Sequence, residues 1–208
     1  HRVQGWLLDS VSARFGHLAT VVSQTASKLG KPQPLVTVEH GGIRVCPERW
    51  RPLWSNLVHV VRNAVYHGIE DAEERSALGK SGAGQIWLAI RVESGQVVVE
   101  IRDDGRGVDW ARVGEEAQSL GLPCGTEVER LRALCADGLS TVHDIDSEIS
   151  GRGVGMSAVL AACEQMGGRM DVQGNPGHGT RFRFVFPLGD TGEVWQDRKS
   201  TERAAVAV

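Results

Sequence analysis

What most restricts this chain is where its glycines stand. Twenty-six of the 208 residues are glycine, well above the usual share of about 7%, and three tight clusters hold the informative ones: Asp103-Asp104-Gly105-Arg106-Gly107, Gly151-Arg152-Gly153-Val154-Gly155-Met156 and Gly177-His178-Gly179-Thr180. Glycine loses more conformational freedom on folding than any other residue. Such clusters are therefore expected where the backbone must turn sharply or come close to something. The first cluster ends an apolar strand, the second opens a helix and the third begins a strand.

Strand periodicity adds a second constraint. In Val97–Asp103 alternation places Val97, Val99, Ile101 and Asp103 on one sheet face, so a carboxylate heads an apolar row. Burying it costs several kcal/mol, roughly, unless donors are supplied. Thr180 heads a comparable row with Phe182, Phe184 and Phe186. Two polar groups on two strands could close on the polar edge of one flat, otherwise buried base, and an exocyclic amine of adenine would satisfy Asp103. Taken alone, a D-x-G-x-G stretch is more often a turn closing a strand.

The second cluster has a different use. Glycines at a helix N-terminus leave amide N–H groups free to hold phosphate, with the helix dipole in support. A dinucleotide-binding G-x-G-x-x-G fails on context, because no strand of a parallel βαβ unit precedes it.

Upstream, Asn56–Gly68 divides into two helical faces. Leu57, Val58, Val61, Ala64 and Val65 form an apolar stripe, while Asn56, His59, Asn63 and His67 recur at spacings of three, four and four on the other side. A merely solvated face would favour lysine and glutamate; Asn and His coordinate, donate and accept at close range. His59 and His67 are two turns apart, about 12 Å of rise, too far to share a tetrahedral zinc.

The remaining pattern predicts helices over 6–29, 47–67, 70–78, 110–120, 127–136 and 154–166. It predicts strands over 35–39 and 43–45 as a hairpin, 86–92 and 97–103 joined at Ser94-Gly95, and 170–173 and 180–186. Residues 137–155 read as a loop, and everything after Pro187 as a solvated tail. The fold class is an α/β (α+β) sandwich, a mixed and mostly antiparallel sheet with helices on one face. A net charge of −3 gives no support for nucleic-acid binding. No run approaches the roughly 20 apolar residues that span a bilayer, and the four cysteines show neither C-x-x-C nor paired metal-ligand spacing. A cytoplasmic protein with reduced thiols is expected.

The Asn/His helix and the three glycine clusters, in this order, resemble the N, G1, G2 and G3 boxes of the GHKL (Bergerat-fold) ATPases. Within that superfamily, LVHVVRNAVYHGIE, EERSALGK, IRDDGRGVD, GLSTVHDIDSEISGRGVGM and GGRMDVQGNPGHGTRFRFVFPL resemble CheA-type chemotaxis histidine kinases, over about residues 10–188. The resemblance implies ATP as substrate and Mg²⁺ on its phosphates, ligated by Asn63. It implies that His59 assists phosphotransfer as a base or by positioning, and that His67 lies near the γ-phosphate. Asp103, Gly105, Gly107 and Thr180 would hold adenine, and Arg112 would stand near the phosphates. Residues 137–155 would form a flexible ATP lid with Gly151, Gly153 and Gly155 at its phosphate end, and Ser140, Thr141 and Met156 would also bind ATP. Domains are expected as an N-terminal helix ending an upstream linker (1–34), the catalytic domain (35–188) and the tail (189–208).

The implied reaction is transfer of the ATP γ-phosphoryl group to a histidine of a separate phosphotransfer domain, with a response regulator downstream and a coupling protein or chemoreceptor as possible partners. No nucleic acid and no membrane insertion are implied. Phe15-Gly16-His17-Leu18 lacks the acidic residue and Thr-Pro-Leu that follow the acceptor of conventional sensor kinases. Tyr66, Leu139 and Ser157 depart from the family's usual Asp, Phe and Asp. Those departures keep open a regulatory nucleotide-binding module without transfer, and another GHKL ATPase is the third reading.

Overall fold

In the computed structural model, which describes residues 9–136, 155–188, 194–196 and 203–206, the chain runs β1 (Asp9–Ser10), α1 (Val11–Lys28), β2 (Leu35–Glu39), β3 (Ile43–Val45), α2 (Pro47–Asn63) and a π-helical turn (Ala64–Gly68). It continues through α3 (Ala72–Ala77), β4 (Gln85–Glu93), β5 (Gln96–Asp103), α4 (Trp110–Ser119), α5 (Glu127–Cys135), α6 (Gly155–Gln165), β6 (Arg169–Gly174), β7 (Thr180–Pro187), β8 (Val194–Gln196) and β9 (Arg203–Val206). A six-stranded sheet has the order β6-β7-β5-β4-β2-β9. Its one parallel pair is β2 with β4; the other neighbours run antiparallel.

The alternation read from the sequence sets which face is covered. Val97, Val99 and Ile101 of β5 join Ile86, Leu88 and Ile90 of β4 and the three phenylalanines of β7 in one apolar cluster, closed by Phe15 and Leu18 of α1, Trp50, Leu57 and Val61 of α2 and Val159 of α6. The Trp50 ring meets Phe186 edge-on at 5.1 Å, and Trp54 meets Phe15 at 5.9 Å. On the other face, charges carry the strands: Arg91 pairs with Glu100, Arg183 with Glu93, and Arg102 lies 4.9 Å over the Trp87 ring. Because a one-residue slip would exchange these two faces, the register Ile86↔Asp103 and Ile101↔Phe182 is tightly specified. No helix among the described residues is long and apolar enough to cross a membrane.

Four local expectations change. The first helix starts only at Val11, since Ser10 is extended at φ −75°, ψ 125° and Asp9–Ser10 pairs with β3; Trp6 and Leu7 lie outside the described residues. The Gly41-Gly42 turn does form, with Ile43 N–H donating to the His40 carbonyl at 2.9 Å. Its strands then separate: β2 lies beside β4, while β3 joins β1 and β8 in a small sheet, so there is no hairpin ladder. The stretch after Pro187 is not simply a solvated tail, because β8 pairs with β3 and β9 pairs with the outer edge of β2. Backbone groups on an open strand edge need partners, a demand that side-chain periodicity in the tail does not reveal. The fourth change is that α2 ends at Asn63 and a wider turn follows, closed by Ile69 N–H donating to the Ala64 carbonyl at 2.7 Å.

That wide turn leaves carbonyls without helical partners. Lys31, just past α1, supplies them: its ammonium donates to the carbonyls of Val65 (2.7 Å), Tyr66 (3.2 Å) and Ile69 (2.6 Å). Burial, and then the charge of Arg106, hold its pKa below the ordinary lysine value. Replacing Lys31 with Met removes a charged donor from three carbonyls. The expected loss is about 2 kcal/mol of unfolding free energy, seen in urea as a lower midpoint with an unchanged slope.

Candidate functional site

Asp103 ends β5 and is 2% exposed. Its apolar row carries it under the sheet, and donors come from backbone. Gly105 N–H donates to Oδ1 at 2.9 Å and Thr180 N–H donates to the same oxygen at 3.2 Å. Thr180, itself 7% exposed, starts the neighbouring strand, so the two polar groups at the heads of apolar rows are brought together. Burial pushes the Asp103 carboxyl up to about 6; the two amides pull against that rise, and nearby Asp104 and Glu70 add to it.

Gly105 and Gly107 of the first box and Gly179 of the third meet protein as their closest neighbours, while Gly177, at φ +82°, has open space where a Cβ would stand. A Cβ on Gly105 would overlap the Gly68 carbonyl, and one on Gly179, whose φ is +77°, would overlap the Asp103 carbonyl; Gly107 abuts Asn175 in the same way. Three loops thus meet backbone to backbone, fastened by Arg106 N–H to Gly68 O at 2.8 Å and Gly177 N–H to Arg106 O at 2.6 Å. Their glycine identity follows from this packing.

On α2, His59 and Asn63 are both half-buried. The Asn63 carboxamide bonds to none of the described residues, whereas Asn56 donates to the Pro52 carbonyl of its own helix at 2.8 Å. Burial, followed by the charge of Arg62, holds His59 below the ordinary histidine pKa, which keeps the imidazole neutral at pH 7. Gly155, the first residue of α6, lies against it: an added Cβ would come within 2.9 Å of His59 Nδ1. The last glycine of the second box and the histidine of α2 therefore share one contact. An uninterrupted α-helix would set His67 one turn above Asn63; the π-helical turn delays it by a residue, and its ring lies 6.1 Å from that of Tyr66.

Arg112 is on the first turn of α4, its amide capped by Asp109 and its guanidinium paired with Glu116 at 3.0 Å. Met156 packs against the main core from α6. Ser140, Thr141, Gly151 and Gly153, with the departure at Leu139, fall outside the described residues. Ser157 lies on α6.

The buried charges behind Asp103 were not anticipated from sequence. Arg75 is 1% exposed and Glu70 0%. Arg75 donates to Glu70 Oε2 (2.9 Å), to Asp104 Oδ2 (2.7 Å) and to the Ser81 carbonyl (2.5 Å), and Gln85 N–H donates to Asp104 Oδ1 at 2.8 Å. Lys80 pairs with Glu70 at 2.7 Å. In sequence these residues look like an ordinary charged helix and loop. The one available signal was five-residue spacing, Glu70, Arg75, Lys80, which matches no exposed i,i+4 ladder.

The chain is similar to known proteins in sequence and fold. Residues 54–190 match the family model described as histidine kinase-, DNA gyrase B- and HSP90-like ATPase. The chain is 40% identical over 171 residues to a chemotaxis protein CheA of Cereibacter sphaeroides, covering 80% of this chain and 25% of that protein. It is 33% identical over 184 residues to CheA of Salmonella typhimurium, covering 87% and 27%. The chain thus spans about a quarter of the length of these curated relatives. Full-length ShkA in complex with AMPPNP shares the fold, with a TM-score of 0.54 at 20% identity over 86% of this chain and 30% of that one.

The raised carboxyl has a stability consequence. A group whose folded pKa lies above its unfolded value favours the fold at pH below about 3.8, and that contribution is lost as pH rises through about 6. At neutral pH the ionised Asp103 therefore costs on the order of 2–3 kcal/mol. Asp103→Asn, which keeps an acceptor oxygen without the charge, is expected to raise the ligand-free unfolding free energy at pH 7.5 and to leave it nearly unchanged at pH 4. Chemical denaturation at the two pH values measures the difference.

Proposed function

The chain belongs to the histidine kinase-, DNA gyrase B- and HSP90-like ATPase family, and from that premise we propose that it is the catalytic part of a CheA-like protein histidine kinase, moving the γ-phosphoryl group of ATP onto a histidine of a phosphotransfer domain. The observation that carries the reading is the buried Asp103 carboxylate. Both of its amide donors use Oδ1, so Oδ2 is the oxygen to accept from the exocyclic amine of adenine, with Thr180 beside it. This hydrogen bond selects the base.

At the other end, the half-buried carboxamide of Asn63, which bonds to none of the described residues, fits a hard cation that keeps most of its waters and takes few protein ligands. Mg²⁺ held there would neutralise charge on the triphosphate. His59, kept neutral, accepts a proton from the incoming imidazole or orients it, and its contact with Gly155 fixes the ring. The acceptor nitrogen forms the new P–N bond as the bond from the γ-phosphorus to the ADP oxygen breaks. Positioning and charge neutralisation supply most of the rate. His67, Arg112, Ser140, Thr141, Gly151, Gly153 and Met156 are assigned to the phosphate end and lid on resemblance alone. A response regulator would take the phosphoryl group onward, and a coupling protein or chemoreceptor would control the kinase.

With a separate phosphotransfer domain and Mg-ATP, acid-labile phosphohistidine is expected on that domain. His59→Gln should reduce the transfer rate by about 10²-fold or more while nucleotide affinity stays within about twofold. Undiminished transfer removes the role given to His59. Nucleotide binding without transfer to any acceptor, by the unsubstituted chain, makes it a regulatory module.

Two pH limbs are expected to separate. Protonation of Asp103 should raise the KM for ATP as pH falls through about 6, whereas kcat should hold until pH drops below the ordinary histidine range, because the neutral base form of His59 persists to lower pH.

A further inference from the structure

We propose that Lys80 is a positioning residue of the base site, clamping two successive peptide planes so that one amide meets Asp103 and the next meets Gly68; this rests on reading the Asp103 pocket as the nucleotide site.

Three acceptors surround the Lys80 ammonium: Glu70 Oε1 at 2.7 Å, the Asp104 carbonyl at 2.9 Å and the Gly105 carbonyl at 2.8 Å. They use all three of its donors. A trans peptide is planar, and its C=O and N–H point in opposite directions. The carbonyl of Asp104 and the amide of Gly105 belong to one such plane, so a carbonyl held by Lys80 aims the Gly105 N–H at Asp103 Oδ1, 2.9 Å away. The Gly105 carbonyl and the Arg106 amide form the next plane. Its carbonyl is also held by Lys80, and its N–H donates to Gly68 O at 2.8 Å. One ammonium thus sets both the donor that leaves Oδ2 of Asp103 for the base and the joint between this loop and the end of the π-helical turn.

Glycine at 105 makes the clamp necessary. With no Cβ, its peptide planes turn more freely than those of other residues, while Cβ overlap with Gly68 excludes a stiffer residue. Glu70, 0% exposed, fixes the ammonium, and Arg75 holds both Glu70 and the Asp104 side chain. A planar guanidinium cannot place three donors around a single nitrogen, so arginine at position 80 would not reproduce the arrangement.

The test uses the whole 208-residue chain, with Lys80→Met and Lys80→Arg compared with the unsubstituted protein and with Arg183→Met, which breaks an ion pair on the opposite sheet face. Calorimetry with ADP, with and without Mg²⁺, gives affinity; amide exchange by NMR reports Gly105, Arg106 and the β5–β7 ladder. Both Lys80 variants are expected to bind ADP about tenfold more weakly, by the same factor with and without Mg²⁺. Their Gly105 and Arg106 amides should exchange faster while ladder amides stay protected, and Arg183→Met should change neither reading. Unchanged ADP affinity in either variant, or loosening spread evenly over the ladder, overturns the proposal. If both variants fail to fold, Lys80→Gln, which keeps an uncharged donor, is measured instead; intermediate losses are expected, and unchanged affinity again overturns it. If the unsubstituted chain binds no ADP, the nucleotide-site reading fails, while the amide exchange still decides whether Lys80 holds the two planes.

Discussion

Asp103 places a charge at the end of an apolar strand row, where water cannot solvate it, and most of the site follows from how its donors are supplied. One comes from its own turn and one from the first residue of β7. The first requires Gly105 to fold back tightly, and the second requires β5 and β7 to be neighbours in fixed register. Fixing that register directs Val97, Val99 and Ile101 toward the helices and Arg102 and Glu100 away from them. A single buried oxygen thus links strand pairing, loop geometry and the core.

The same oxygen explains why the glycine boxes lie far apart in sequence. Gly68, Gly105 and Gly179 stand at the ends of three elements that converge around Asp103; Gly105 and Gly179 are too close to neighbouring backbone for a side chain, and a Cβ on Gly68 would press on the Asp103 carboxylate at 3.3 Å. Close packing of three loops stabilises the pocket, but the ionised carboxylate opposes folding. Buried charge retained at a stability cost is expected where a site is shaped for a partner it meets only on binding. Lys31 and the Glu70–Arg75–Lys80 charges stiffen the surroundings of that group.

Much of this was legible in the chain. Alternation in 97–103 and 180–186 gave the strands and the two polar heads, Ser94-Gly95 gave the hairpin turn, and the three-four-four spacing set Asn56, His59 and Asn63 along α2 but missed the π-helical turn that holds His67. The β2–β3 hairpin failed because a good turn fixes only its own residues, whereas strand partners are chosen by the core; Val36 and Val38 are buried beside β4. The buried charges were hidden because Glu70, Arg75 and Lys80 look solvated until the Asp104 loop folds over them.

Residue chemistry along the chain determined which groups could recognise a base, hold a cation or take a proton, because those capacities belong to the side chains at Asp103, Asn63 and His59. Only the tertiary structure decided which oxygen of Asp103 receives the internal donors, that Gly105, Gly107 and Gly179 are packed against protein, that His59 rests on Gly155, and that the tail strands pair with the sheets. Each of these depends on backbone groups meeting across long sequence separations. A backbone amide is the same at every position, so the sequence cannot mark which one will arrive.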